Sequence, residues 1–249
     1  MKKASLLTLF LVFTLSLFAQ RNSNREYWNT WQYKPNKGMT QKFEAAAAAK
    51  TKKFNASPEN LIVTYKVSTG DNAGTYERIM PYQTPASYDK DKSVELDYWK
   101  ANVGKYCTPV GGQQIWERMA FADVNIKEGA SPSKHLMKTI YVVKPGHNGH
   151  FGRFIQRLGK VQGDRSPDVS SITLRLQSGG NRNMYVRYVG FNKHEQAPKE
   201  DDLSWEDVYN EMFGWNTWEA DLAQFNNSLE MWGRQSEKLR LVEALLPTP

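Results

Sequence analysis

The alternation of apolar and polar positions is clearest in the second half of the chain, where it predicts a definite order of strands and helices. Lys138 to Lys144 carries the β-favouring run Thr139-Ile140-Tyr141-Val142-Val143 and is stopped by Pro145-Gly146, so it reads as a strand. Phe151, Phe154, Ile155 and Leu158 then recur at the spacing of one helical face, ending near Gly159 or Gly163. Ile172, Leu174 and Leu176 alternate with Thr173, Arg175 and Gln177; after Gly179-Gly180-Asn181 the run Met184 to Phe191 returns as the other arm of a hairpin. Ser204 is placed to cap a helix, with Glu206 and Asp207 in the first turn where the helix dipole favours carboxylates. In the long helical region that follows, Val208, Trp215, Leu222 and Leu229 recur at heptad spacing, and Trp218, Phe225 and Trp232 trail the last three by one turn. That spacing predicts a buried face rather than an exposed carbohydrate platform, with Gly214 and Asn226-Asn227 as break points. Lys238 to Leu246 closes the half as a strand stopped by Pro247.

The first half repeats the order. Strand signals run from Tyr27 to Lys34, Leu61 to Val67 and Thr75 to Tyr82, and a helix runs from Thr40 to Phe54. Between Ser93 and Met119, Gly104, Pro109, Gly111 and Gly112 predict two shorter helices around a loop, followed by a strand from Ala120 to Ile126 and a linker from Lys127 to Lys134. Landmarks recur at a nearly constant offset: Lys34-Pro35 with Lys144-Pro145, Ile62 with Ile172, Gly70 with Gly180, and Tyr76-x-Arg78 with Tyr185-x-Arg187. The expectation is an α+β chain of two tandem ferredoxin-like βαββαβ units, 20–130 and 131–249, pairing sheet to sheet as an α/β barrel.

This order of elements spans nearly all of the chain after its first twenty residues. Together with Lys144-Pro145-Gly146 followed by Phe151 and Phe154, it resembles the dimeric α/β barrel superfamily. The resemblance implies a setting shared by cofactor-independent monooxygenases, haem-binding proteins of the chlorite dismutase type and stress-responsive barrel proteins. It does not choose among them.

The chain begins with the parts of an export signal: basic Lys2 and Lys3, an apolar run from Leu6 to Phe18, and small Ala19, after which cleavage is expected. The run is interrupted by Thr8, Thr14 and Ser16 and falls short of the roughly 20 apolar residues of a membrane span. The expectation is therefore residues 1–19 as a signal peptide and a protein exported to the periplasm or beyond, without a membrane span once cleaved. Cys107 is the lone cysteine, so no intramolecular disulfide can form. The formal charge of +7 falls by two when Lys2 and Lys3 are removed, and the basic residues are scattered, which argues against a nucleic-acid partner. A tandem repeat can satisfy its sheet faces internally, yet barrels also associate further.

Paired sheets of the expected kind would enclose a ligand, so polar positions of alternating strands are the candidates. Arg175, Arg187 and Tyr185, with Arg78 and Tyr76 as counterparts, could hold an anionic or carbonyl-bearing molecule between the sheets. Equally, the arginines could pair with acids such as Glu77 or face water. His147, His150 and His194 could ligate a metal or haem, but no carboxylate or thiolate stands at a recognised metal spacing, and none of the three maps onto the axial ligand of the haem-binding relatives. No cofactor is therefore expected, with haem a minor alternative. The main expectation is a barrel that binds a small apolar or anionic ligand. The alternatives are a monooxygenase-like or isomerase-like enzyme without a cofactor, and a structural protein of the envelope.

Overall fold

The computed structural model describes residues 25–127, 129–194 and 203–247, so the expected export segment lies outside the described residues. Nine strands and five α-helices follow in order among the described residues. The first half contributes β1 (Tyr27–Pro35), α1 (Thr40–Phe54), β2 (Val63–Val67), β3 (Tyr76–Gln83), α2 (Ser93–Asn102), short β4 (Cys107–Pro109) and β5 (Gln114–Arg118). The second contributes β6 (His135–Val143), α3 (Asn148–Arg165), β7 (Ser170–Ser178), β8 (Met184–Phe191), α4 (Trp205–Phe213), α5 (Thr217–Ser228) and β9 (Leu229–Leu241).

The strands run β3-β2-β9-β6-β8-β7-β5-β1, and β1 pairs back onto β3, closing an eight-stranded antiparallel barrel with β4 appended to β1. Within each half the spatial order is the same, β2-β3-β1-β5 and β7-β8-β6-β9, and the halves join at β2–β9 and β5–β7. Closure removes the exposed edges that would otherwise invite aggregation.

Because side chains alternate across a strand, a closed barrel has two buried faces. The interior takes Val63, Tyr65, Ile79, Trp116, Leu174, Leu176, Val186 and Leu239. It also holds a charged cluster. Lys138 Nζ lies 2.7 Å from Glu77 Oε2 and 3.4 Å from Glu237 Oε2. Tyr188 donates to Glu77, and Asn72 Nδ2 donates to Glu237 Oε1 at 2.6 Å. Burial alone would lower the Lys138 pKa, but the two carboxylates outweigh it and hold the ammonium raised. The outer face is covered by helices: α1 packs Phe43 and Ala47 near Tyr76, while α3, α4 and α5 pack Phe151, Phe154, Tyr209 and Phe225 near Tyr141 and Tyr185.

Several elements differ from expectation. Ala120 to Ile126 is not a strand but a 3₁₀ turn over Ala120–Ala122 followed by a single bridge from Val124 to Ser171; β5 takes the strand position earlier in the chain. Only one α-helix, α2, forms between Ser93 and Met119. The long helical region divides at Gly214, whose φ of 110° ends α4, and β9 begins at Leu229, nine residues before the strand expected at Lys238. Trp215 and Trp232 consequently leave the helical stripe and are 94% and 86% exposed, whereas Val208 and Phe225 are buried as expected.

Candidate functional site

All five residues expected between the sheets lie on the opposite, outer face. Glu77 and Ile79 fill the interior on β3, so Tyr76 and Arg78 point to the helices; Val186 and Tyr188 do the same on β8, turning Tyr185 and Arg187 outward. Tyr76 donates to Glu44 of α1, and Tyr185 donates to Asn148 Oδ1 of α3 at 3.0 Å with its ring 4.4 Å from that of Phe151. Both tyrosines anchor a helix to the sheet. Arg175 is half-buried, its guanidinium carbon 5.8 Å from the Tyr185 ring. The suggested acid Glu77 pairs with Lys138 inside the barrel instead.

The outer face under α1 and α2 holds a cavity of about 450 Å³ with Arg78 in its wall. This volume is within the range of small-molecule sites. Arg78 is buried, its Nη2 donates to Thr51 Oγ1 of α1 at 2.8 Å, and its guanidinium carbon lies 4.8 Å from the Trp99 ring of α2. Its Nε has no hydrogen-bond partner among the described residues. Burial pushes the guanidinium pKa down to about 10, so Arg78 remains a cation at neutral pH with a donor to spare.

Lys50 stands beside it. On α1 the buried positions Phe43, Ala47, Lys50 and Thr51 form one stripe, so a lysine occupies a core-facing position of a face that carries no other charge. Its Nζ donates to Asn55 Oδ1 at 2.7 Å and to Glu95 of α2. It also lies 6.0 Å from the Trp99 ring that carries Arg78. Burial, and then the Arg78 charge, push the Lys50 pKa down to about 8, with Glu95 opposing. A lysine in that range is neutral in an appreciable fraction of molecules at mildly alkaline pH and can take a proton.

Aromatic and apolar side chains of the wall include Trp31 and Tyr33 from β1 and Ile62 before β2, and polar Asn29, Ser87, Ser93 and Gln113 complete it together with exposed Lys90 and half-buried Lys92. Burial raises Tyr33 to about 12 in spite of Arg78, so it stays a neutral phenol able to donate. Glu95 is the one carboxylate on this lining against the cations Lys50, Arg78, Lys90 and Lys92. Such a site favours a flat molecule bearing or acquiring negative charge. Cys107 is nearby, but burial pushes its thiol up to about 11, which removes it as a nucleophile.

Lys50 and Glu95 escaped the sequence reading, although Lys50 left a signal as the charged residue in the Phe43-Ala47 stripe. The histidines are elsewhere: His147 and His150 at the start of α3, His135 and His194 together at one end of the barrel. No group of three potential metal ligands occurs among the described residues. No imidazole or thiolate lines this cavity or the smaller one in the second half. No helix among the described residues is long and apolar enough to cross a membrane.

No protein-family model and no curated protein matches the sequence. Solved structures do share the fold. A proposed monooxygenase from Lactobacillus acidophilus NCFM superposes with a TM-score of 0.56 at 12% identity, covering 88% of this chain and 94% of that one. One from Fusobacterium nucleatum gives 0.57 at 12% identity, covering 88% and 93%. A proposed chlorite dismutase gives 0.53 at 11% identity, covering 89% and 97%. At these identities the likeness establishes the barrel fold and leaves the chemistry to the site.

Proposed function

We propose that the protein is a monooxygenase-like enzyme that works without a bound cofactor on a small aromatic molecule with an acidic C–H or O–H, held in the cavity under α1 and α2. The observation that carries this reading is the Lys50–Arg78 pair: a buried lysine whose pKa is pulled toward neutrality beside a buried guanidinium with a free donor. Lys50 Nζ takes the substrate proton, and the carbanion or phenolate left behind is stabilised by Arg78. Trp31 and Trp99 supply flat walls against the ring. Dioxygen is the oxidant. An activated methylene and one O₂ give a carbonyl and one water, so the substrate supplies all the electrons and no external reductant is required. The fold neighbours named as monooxygenases support this class.

Oxygen uptake tests the proposal with an activated aromatic ketone such as anthrone and with naphthols as substrates. The wild type should consume O₂ with a rate that rises as pH passes about 8, and Lys50→Met and Arg78→Met should each lose most of that rate. Substrate deuterium exchange without O₂ uptake would instead indicate an isomerase-like enzyme that returns the proton to carbon. If neither occurs, the catalytic reading fails.

The same strand order in both halves supports reading 20–130 and 131–249 as tandem ferredoxin-like units. Export with cleavage after Ala19 also stays part of this proposal, and the N-terminal mass of the protein recovered from the producing cell checks it. An uncleaved Met1 terminus would refute it.

A further inference from the structure

The second half contains a separate cavity of about 270 Å³ on the outer face, between α3, the start of α4 and strands β6, β8 and β9. Arg187 stands in its wall in the place that Arg78 holds in the first half. It lies across from Thr139 on β6 and Thr173 on β7, as Arg78 lies across from Trp31 on β1 and Thr64 on β2. A side chain of the covering helix receives its Nη2 in both halves, Gln162 here and Thr51 there. Ser171 Oγ takes the same nitrogen at 3.0 Å.

The other terminal nitrogen has no such provision. Arg187 is only 4% exposed, yet its Nη1 finds no hydrogen-bond partner among the described residues. A charged N–H buried without an acceptor is costly, so an acceptor from outside the chain is favoured there. Asp123, whose charge acts on Arg187, binds Arg118 Nε through Oδ2 at 2.6 Å, makes no hydrogen bond to Arg187 and is not on the cavity lining. The lining has two guanidinium groups, Arg187 and the exposed Arg234, and no carboxylate. Its remaining walls include Leu158, Val169, Val189 and Trp205.

We propose that this cavity binds a small monocarboxylate carrying one compact apolar group, with the carboxylate on Arg187 Nη1 and the apolar group against Val189 and Trp205. The volume lies just under the roughly 300–1,000 Å³ of drug-sized sites, which limits the apolar part to a branched chain or a single ring. Such a ligand supplies the acceptor that Arg187 lacks and fills the apolar side of the space. This site is independent of the proton-transfer reading of the first cavity.

Calorimetric titration of the full protein with benzoate, benzamide and chloride tests the assignment. Benzoate should bind saturably. Benzamide, equal in shape but uncharged, should bind at least about tenfold more weakly, as should benzoate to Arg187→Met. Val189→Trp fills the space while leaving Arg187 in place, and decides the matter should Arg187→Met fail to fold; it should abolish the component of the benzoate signal that Arg78→Met leaves intact. Arg78→Met should retain this component, and Val189→Trp should retain oxygen uptake at the first cavity, which keeps the two sites distinguishable. Equal benzoate binding to wild type and Val189→Trp overturns the proposal, as does benzamide matching benzoate. Chloride binding as tightly as benzoate would reduce the site to an adventitious ion only.

Discussion

Replacing Lys138 by methionine removes the one cation of the cluster inside the barrel and leaves Glu77 and Glu237 facing each other in an apolar setting. Lys138 reaches both within 3.4 Å, and all three side chains are at most 9% exposed. Breaking a buried pair by deleting one partner typically costs about 3–5 kcal/mol, because the remaining charge is uncompensated. Two carboxylates are stranded here, which places Lys138→Met at the upper part of that range. With a urea dependence of about 3 kcal/mol/M, suitable for a chain of this size, the unfolding midpoint should fall by roughly 1–2 M. The exposed pair Lys100–Asp97, at 3.5 Å with side chains 65% and 75% exposed, provides the control, and Lys100→Met should cost under about 1 kcal/mol. Replacing Lys138 by Met together with Glu77 and Glu237 by Gln should recover much of the loss, since no charge is then stranded. Equilibrium urea unfolding followed by far-UV circular dichroism measures all of these. A Lys138→Met loss no larger than that of Lys100→Met, or a triple variant no more stable than the single one, would refute the reasoning. The cluster joins β3 of the first half to β6, β8 and β9 of the second, so the same measurement reports on how firmly the interior ties the halves together.

Other consequences follow from single residues. Reductive ¹³C-methylation and NMR titration should find one lysine near pH 8, absent in Lys50→Met and titrating lower still in Glu95→Gln, because Glu95 holds Lys50 up; a spectrum with all lysines near the ordinary value would contradict it. Since the folded-state pKa of Lys50 lies below the unfolded one, the unfolded state holds more protons between about pH 8 and 10.5. Its contribution to stability should therefore rise with pH across that window, seen as a flatter alkaline stability loss in wild type than in Lys50→Met. Leu174→Ala, at a fully buried position of the interior, should destabilise by about 2–5 kcal/mol in urea unfolding, and a loss under 1 kcal/mol would mean that the interior is loosely filled. Trp232 holds a left-handed φ of 61° with its side chain in solvent, so Trp232→Gly should raise stability by about 1 kcal/mol, whereas a clear loss would show that the indole is packed.

The order of elements was legible because it rests on local signals. Pro145-Gly146 stops a strand, Ser204 caps a helix, and Ile172, Leu174 and Leu176 alternate with polar neighbours. Ser204 indeed accepts from the Asp207 amide in a capping box. Facing was not legible. Alternation on β7 says which residues share a face, but a closed barrel buries both faces, and nothing local indicates which one the helices cover. The polar positions were therefore assigned to the interior, while Arg78 and Arg187 lie under helices, buried against Thr51 and Gln162. Trp215 and Trp232 failed for a related reason. Their heptad spacing assumes one continuous helix, and Gly214 with the early start of β9 breaks the phase. The Tyr-x-Arg repeat did mark both cavities, because each arginine is the third residue of that motif and lines one of them. Lys50 was marked locally only as a charge within the Phe43-Ala47 stripe; its partners Glu95 and Trp99 come to it on α2 from a distant part of the chain.

The central claim is that the cavity under α1 and α2 receives an aromatic anion on Arg78. Calorimetric titration with 1-hydroxy-2-naphthoate, a flat acid of suitable size for about 450 Å³, tests it most directly. The account predicts one saturable site in wild type, weakened at least about tenfold in Arg78→Met and unchanged in Arg187→Met. Absence of saturable binding, or equal affinity in wild type and Arg78→Met, would contradict it.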